Sequence, residues 1–297
     1  MKIFIAVYLT IFSIASGQTQ SYVDAEGNTH LWGTTALDDF KSEPYSIWYK
    51  ENAEEYQAQL NSDHAEIFKD LSVKIFIGTW CGDTKFLFPK FVKSWKQMGL
   101  SEEQLSIIGL HHEGELYKQG PNKESEGLDI HRVPTFIFYK NEEEIGRIVE
   151  RTVFDLETDM KLIAEAHPYK HRYQGVSIVS ELMASNIDSL ESESFLKLVN
   201  KKSRRELSGA SELNAYAYIL LFSGALEEAK FVFKLNRDLF PFYPYAHYGY
   251  GKALFVSEEY EEAKKQFLEA VRLKPEFDKA FNYLYEIGEK VKFVSKS

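Results

Sequence analysis

An α/β domain followed by an all-α helical array is the architecture this sequence predicts. Three observations carry that reading. Short β-branched and aromatic runs alternate with amphipathic stretches as far as Pro168 and close with a hairpin pattern. Beyond Pro168 strand signals vanish and helix formers dominate from Gly175 onward. Within that second half the chain repeats itself every 34 residues. Strands alternating with helices indicate an α/β layer structure. A fixed period in helix-forming sequence indicates stacked helix pairs. The 297 residues suffice for two units of about 100–200 residues each.

The first segment reads as a targeting signal. Lys2 supplies a small positive region, and Ile3 to Ala15 is apolar but short for a bilayer span. Ala15-Ser16-Gly17 places small residues where a signal peptidase reads, so residues 1–17 are expected to be removed, leaving Gln18 first. An uncleaved membrane anchor is the alternative. No cysteine stands directly after the apolar stretch, which argues against lipid anchoring, and no later stretch suits a membrane span. The expected location is therefore extracytoplasmic, periplasmic or secreted. The charge balance is −10 with no basic block, so a nucleic-acid partner is not expected. Exported proteins usually hold cysteines in pairs. Here Cys81 is the sole cysteine and has no intrachain partner: it is inert, reactive, or paired with another molecule.

Residues 18–50 read as an N-terminal extension, polar and mixed, with Gly27-Asn28 and Gly33 as turn signals. Aromatic spacing predicts a helix over Tyr45 to Leu60 and another turn or two from Ala65 to Leu71. Val73 to Ile77 is a strand ending at Gly78-Thr79. A helix from Lys85 to Met98 is closed by Gly99, and Leu105 to Leu110 is a second strand. Val133 to Tyr139 and Glu144 to Glu150 form a hairpin about Asn141-Glu142, and Asp155 to Ala166 a final helix before Pro168. The α/β domain is thus expected over 51–168, with a helical linker over 169–208.

Ala229 and Ala263, Phe233 and Phe267, and Pro241 and Pro275 are each 34 residues apart, and Gly224 to Ala229 echoes Ser257 to Ala263. Small residues where two helices touch, with a proline after the second helix, suit stacked helix–turn–helix units. Residues 209–290 are therefore similar to tetratricopeptide repeats, as units 210–243 and 244–277 with 278–290 as a capping helix. Gly251 and Leu254 match consensus positions of the second unit, whereas the first has Ala217 in place of the glycine.

The chemistry-bearing segment is Trp80-Cys81-Gly82-Asp83-Thr84-Lys85, with Pro89 downstream. A cysteine at the mouth of a helix meets unpaired N–H groups and a partial positive charge, which favour the nucleophilic thiolate. Gly82 is expected to allow a tight turn and Trp80 to shield one side of the sulfur. The segment resembles the thioredoxin active-site signature Trp-Cys-Gly-Pro-Cys-Lys. Arg132-Val133-Pro134-Thr135, ahead of the hairpin, resembles that family's cis-proline loop. The resemblance implies a thioredoxin fold in which Trp80, Cys81, Gly82, Asp83, Val133 and Pro134 form one substrate surface, Val133 offering backbone hydrogen bonds to a bound peptide. Three departures matter. Thr84 stands where the second cysteine belongs, so no internal disulfide closes. Asp83 replaces the motif proline and sets a carboxylate beside the sulfur, opposing the thiolate. Ile75 replaces the family's buried acid. A dithiol reductase is therefore not expected.

Three readings remain. Cys81 is a monothiol nucleophile, with Thr84 Oγ as its hydrogen-bond partner, a cysteine-bearing client as substrate and an external thiol as reductant. Alternatively the fold is a binding scaffold or adaptor with an incidental thiol. Lastly, Cys81 links two copies covalently. None calls for a metal or cofactor. His111-His112 and His131 fall near one end of the sheet, but adjacent strand residues point oppositely, so hydrogen-bonded loop histidines are the expectation rather than a metal site. Ser194-Phe195-Leu196-Lys197 matches a Ser-x-x-Lys pattern without its companion motifs and reads as coincidence. Glu142-Glu143-Glu144 reads as a solvated turn. Tyr243, Tyr245, Tyr248 and Tyr250 with Phe240 and Phe242 read mainly as packing between the two repeats, the remainder lining a concave groove.

Overall fold

Strand β3 (Leu71–Ile77), with Val73, Ile75, Phe76 and Ile77 all fully buried, is the centre around which the N-terminal half of the chain is built. Its first half alternates, with Ser72 and Lys74 exposed, whereas Ile75-Phe76-Ile77 is apolar on both faces, which suits a strand end covered on both sides. The computed structural model describes residues 20–294. The expected signal at 1–17 lies outside the described residues.

The sheet has six strands: β1 (Gln20–Val23), β2 (Thr29–Thr35), β3, β4 (Leu105–Gly109), β5 (Thr135–Lys140) and β6 (Glu143–Val149), in the order β1-β2-β4-β3-β5-β6. Only β3 and β4 run parallel; every other neighbouring pair is antiparallel. The β5–β6 hairpin turns at Asn141 and Glu142, both with positive φ, and carries a bulge at Phe138/Tyr139.

Residues 20–50 are not an extension outside this domain. β2 pairs with β4, and Leu31, Leu37, Phe40 and Tyr45 enter the sheet's main core. The helix expected over Tyr45 to Leu60 is also shorter: α1 is Ser46–Glu55, and Tyr56 is extended. Tertiary partners claim the backbone beyond it. Lys93 Nζ donates to Ala53 O and Tyr56 O, while Gln59 and Leu60 donate their N–H groups to the Glu157 carboxylate. A buried carboxylate accepting backbone N–H groups needs those donors held in place, so the segment leaves the helix to meet it.

The short α2 (Ala65–Phe68) leads into β3, and α3 (Gly82–Gln97) leaves it. α3 buries Leu87, Phe88, Phe91, Val92 and Trp95 against the sheet, a 3.6-residue stripe, and ends with Gly99 in the left-handed region. α4 (Leu156–Ala164) is capped by Asp155, whose carboxylate accepts the Thr158 N–H at 2.9 Å.

The second half is helical throughout: α5 (Gln174–Ser185), α6 (Glu193–Ser203), α7 (Ala210–Phe222), α8 (Leu226–Leu239), α9 (Pro244–Val256), α10 (Tyr260–Leu273) and α11 (Asp278–Val294). The α7–α8 pair, beginning at Ala210 and Leu226, recurs as α9–α10, beginning at Pro244 and Tyr260. Ala229, Phe233, Ala263 and Phe267 are fully buried, so the repeating residues are the packing residues. Gly249 and Gly251 make room for Phe233 and Phe267: a Cβ would lie 2.2 Å and 2.9 Å from those rings. No helix among the described residues is long and apolar enough to cross a membrane.

Candidate functional site

Cys81 caps α3 in extended conformation (φ −90°, ψ 128°), with its N–H donated to Gly78 O at 2.8 Å and its own carbonyl accepting from Lys85 N. The sulfur is half-buried and donates to Val133 O at 3.3 Å. Val133–Pro134 is a cis peptide bond. Two segments that β3 and β5 bring side by side thus meet at one atom pair. Trp80 forms a wall: its Nε1 donates to Leu110 O at 3.0 Å, and its ring lies so close over Gly78 that a Cβ there would be 2.4 Å away. Trp80, Cys81, Val133 and Pro134 thus lie together at one end of the sheet.

The other expectations need revision. Thr84 is fully buried and its Oγ1 accepts the Gly78 N–H at 3.3 Å, so it braces the end of β3 instead of partnering the sulfur. The first turn of α3 rotates position 84 inward, three residues on from the cap. Asp83 Oδ1 pairs with Arg151 Nε at 3.2 Å, so its charge is neutralised across the surface. Gly82 has no positive φ, and a Cβ there would meet nothing within 4 Å. The turn does not require glycine; its bare surface instead leaves the approach beside the sulfur open.

The histidines are hydrogen-bonded loop side chains, as expected, but the adjacent pair does not diverge in the way strand alternation would dictate. His131 does not join the rings of His111 and His112; it is buried against the rings of Tyr173 and Tyr216. His111 and His112 lie beyond the end of β4 at Gly109, where strand alternation no longer applies, and both gather around Tyr22. His111 stacks on that ring at 3.8 Å, and His112 Nδ1 meets Tyr22 Oη at 2.7 Å. His30, from the unexpected strand β2, joins them and bridges Asp24 (3.0 Å) and Thr79 (3.2 Å). Sharing Asn28 and His30 as hydrogen-bond partners holds the Asp24 carboxyl well below its usual range. Asp24, Asn28, His30, Thr79 and His112, with Trp48, line a cavity of about 810 Å³ on one side of Trp80. Among the described residues no cluster of three or more His, Cys, Asp or Glu side chains has metal-binding geometry.

Behind the Val133–Pro134 loop lies Lys118, a residue the sequence alone does not single out. It is buried, its Nζ donates to His131 O, and burial together with Arg132 pulls its pKa down to about 7. Burial also holds His131 neutral, well below the usual histidine range. Arg132 Nη2 reaches Ser211 Oγ on α7 at 3.1 Å, and the His131 ring meets Tyr216 of the same helix edge to face. The loop beside the sulfur is thereby docked on the helical half. Ser194 bonds Ser192 (2.8 Å) on the solvent face of α6, away from this site, as coincidence would have it.

No known protein-family model matches the sequence, and a search of the curated proteins finds no match.

Proposed function

We propose that this chain is a thioredoxin-like protein with one active-site-type thiol, exported from the cytoplasm, which exchanges disulfides with a cysteine-bearing client. A tetratricopeptide-type tail positions that client. The observation that carries the reading is the Cys81 sulfur at a helix amino terminus, half-exposed, 3.3 Å from Val133 O in the loop that leads into β5. Further support comes from a mixed sheet whose central strand β3 leads into α3, and from the recurring α7–α8 and α9–α10 pairs.

In the proposed step the Cys81 thiolate attacks one sulfur of a client disulfide. The S–S bond breaks, a Cys81–client disulfide forms, and the other client sulfur leaves as a thiolate and takes up a proton. With no second cysteine in the chain, resolution falls to an external thiol, which attacks the mixed disulfide and restores Cys81. Val133 N–H and C=O would supply an edge for the client backbone.

The test is covalent trapping from the native compartment, run on non-reducing gels. Discrete disulfide-linked adducts with wild type, and none with Cys81→Ser, are expected; identical patterns would end the proposal. A non-catalytic adaptor is the second reading, favoured by the Thr84 hydroxyl being turned to Gly78 and so giving the sulfur no support.

A further inference from the structure

Where the sheet domain meets the helical half, a cleft of about 480 Å³ opens, within the range of about 300–1,000 Å³ usual for binding sites. Gly114, Tyr117 and Arg132 form one wall. Tyr218 and Phe222 of α7 and Tyr245 and Tyr248 of α9 form the other, with Phe277 at the end. Rings of this kind give a large apolar surface with polar edges.

The cations set this cleft apart in a chain of net charge −10. Lys252 stands 4.5 Å over the Phe222 ring and Lys279 lies on the same rim, and neither has a carboxylate within ion-pair distance among the described residues. Arg132 pairs with Glu150 at 3.6 Å and bonds Ser211, yet its Nε is buried without a partner. Asn214 Oδ1, also in the cleft, is likewise unpartnered. Both atoms lie just beneath the cleft surface, so a small shift of the Arg132 and Asn214 side chains is what would bring them to a peptide carbonyl and N–H. Arg132 also directly precedes Val133, whose carbonyl meets the Cys81 sulfur, so an occupant of the cleft lies beside the thiol.

We infer that this cleft is the recognition site for the client, and that it takes an extended acidic segment carrying aromatic or other apolar side chains. The segment's rings lie on the tyrosine wall, and its carboxylates pair with Lys252, Lys279 and Arg132. The inference rests on the thiol-exchange reading for the fate of the bound segment; its binding is independent of that chemistry.

The experiment uses the full chain with Cys81→Ser, so that binding is read without covalent capture. The probe is a fluorescein-labelled Gly-Ser-Phe-Glu-Phe-Glu-Gly-Ser peptide, compared by anisotropy with its Gln-for-Glu counterpart. Saturable binding of the Glu peptide is expected, weakened by added salt. Binding should be about tenfold weaker for the Gln peptide and for the Lys252→Glu/Lys279→Glu variant, with near-wild-type binding for Lys252→Arg. Equal binding of both peptides, no loss in the charge-reversed variant, or no binding up to about 1 mM would overturn it. So would self-association that the charge-reversed variant abolishes, which assigns the cleft to a second copy. Loss of trapped adducts with peptide binding intact would count against the thiol chemistry alone. Adducts that persist when peptide binding fails would count against the cleft alone.

Discussion

The Cys81 sulfur and the Val133 carbonyl oxygen lie 3.3 Å apart across 52 positions of sequence. That contact closes one side of the sulfur, Trp80 stands beside it, and the bare flank of Gly82 leaves the remaining approach. Gly82→Leu should therefore slow alkylation of Cys81 by iodoacetamide several-fold. Folding free energy should change by no more than about 0.5 kcal/mol, because a Cβ at 82 meets nothing within 4 Å and the rest of the side chain can lie over the open surface. Unchanged alkylation would mean that reagents reach the sulfur from another side.

Trp80 and Gly78 are a matched pair. A methyl group at 78 would lie 2.4 Å from the indole, and the ring is held by its hydrogen bond to Leu110 O. Gly78→Ala should push the ring off that carbonyl and cost about 1–3 kcal/mol in urea unfolding. A shift in tryptophan emission should accompany the loss, and an unshifted, fully stable variant would contradict the packing.

Lys118 makes stability pH-dependent with a definite sign. Its folded pKa is about 7 against about 10.5 unfolded, so between these values the unfolded chain binds more protons. Stability should rise from pH 7 to about pH 9 by at most about 1.4 kcal/mol per pH unit from this group. Above about pH 10 the buried tyrosines, whose pKa values burial raises, work in the opposite direction. Buried His131 adds a fall in stability as pH drops through the usual histidine range. Lys118→Met should flatten the slope between pH 7 and 9; urea titrations at each pH measure it, and an unchanged slope would refute the assignment.

In the helical half, Gly249→Ala should be destabilising by about 1–3 kcal/mol, since its methyl would meet the fully buried Phe233 ring. Gly251→Ala, with 2.9 Å to Phe267, should cost less. Gly209→Asn should also be destabilising, by about 1–3 kcal/mol, because φ 148° with ψ 177° is a backbone region open essentially to glycine alone, although a Cβ there would meet nothing within 4 Å. Denaturant midpoints check all three; a Gly251→Ala variant less stable than Gly249→Ala would contradict the packing, and an unchanged Gly209→Asn would contradict the backbone argument.

Much of the fold was legible because its signals are local. The apolar run of β3, the stripe of α3, the Asn141-Glu142 turn and the repeated Ala and Phe positions state their roles within a few residues of themselves. β1 and β2 were not legible, because Thr29–Thr35 is polar and glycine-bearing, and its strand conformation comes from pairing with β4. His30 stayed hidden with it. Lys118 stayed hidden because a lone lysine reads as solvated surface until a fold closes over it.

By itself the sequence determined that one cysteine would cap a helix after a buried strand, that Val133-Pro134 would precede a hairpin, and that paired helices would follow. Only the tertiary structure decided what those parts face. It turned Thr84 to Gly78, paired Asp83 with Arg151, and set Arg132 against α7 to form a cationic aromatic cleft. The physical reason is range: helix caps, turns and hydrophobic periods are set by neighbours in the chain. Hydrogen-bond partners and shared clefts depend on contacts between segments far apart in sequence, which no local pattern encodes.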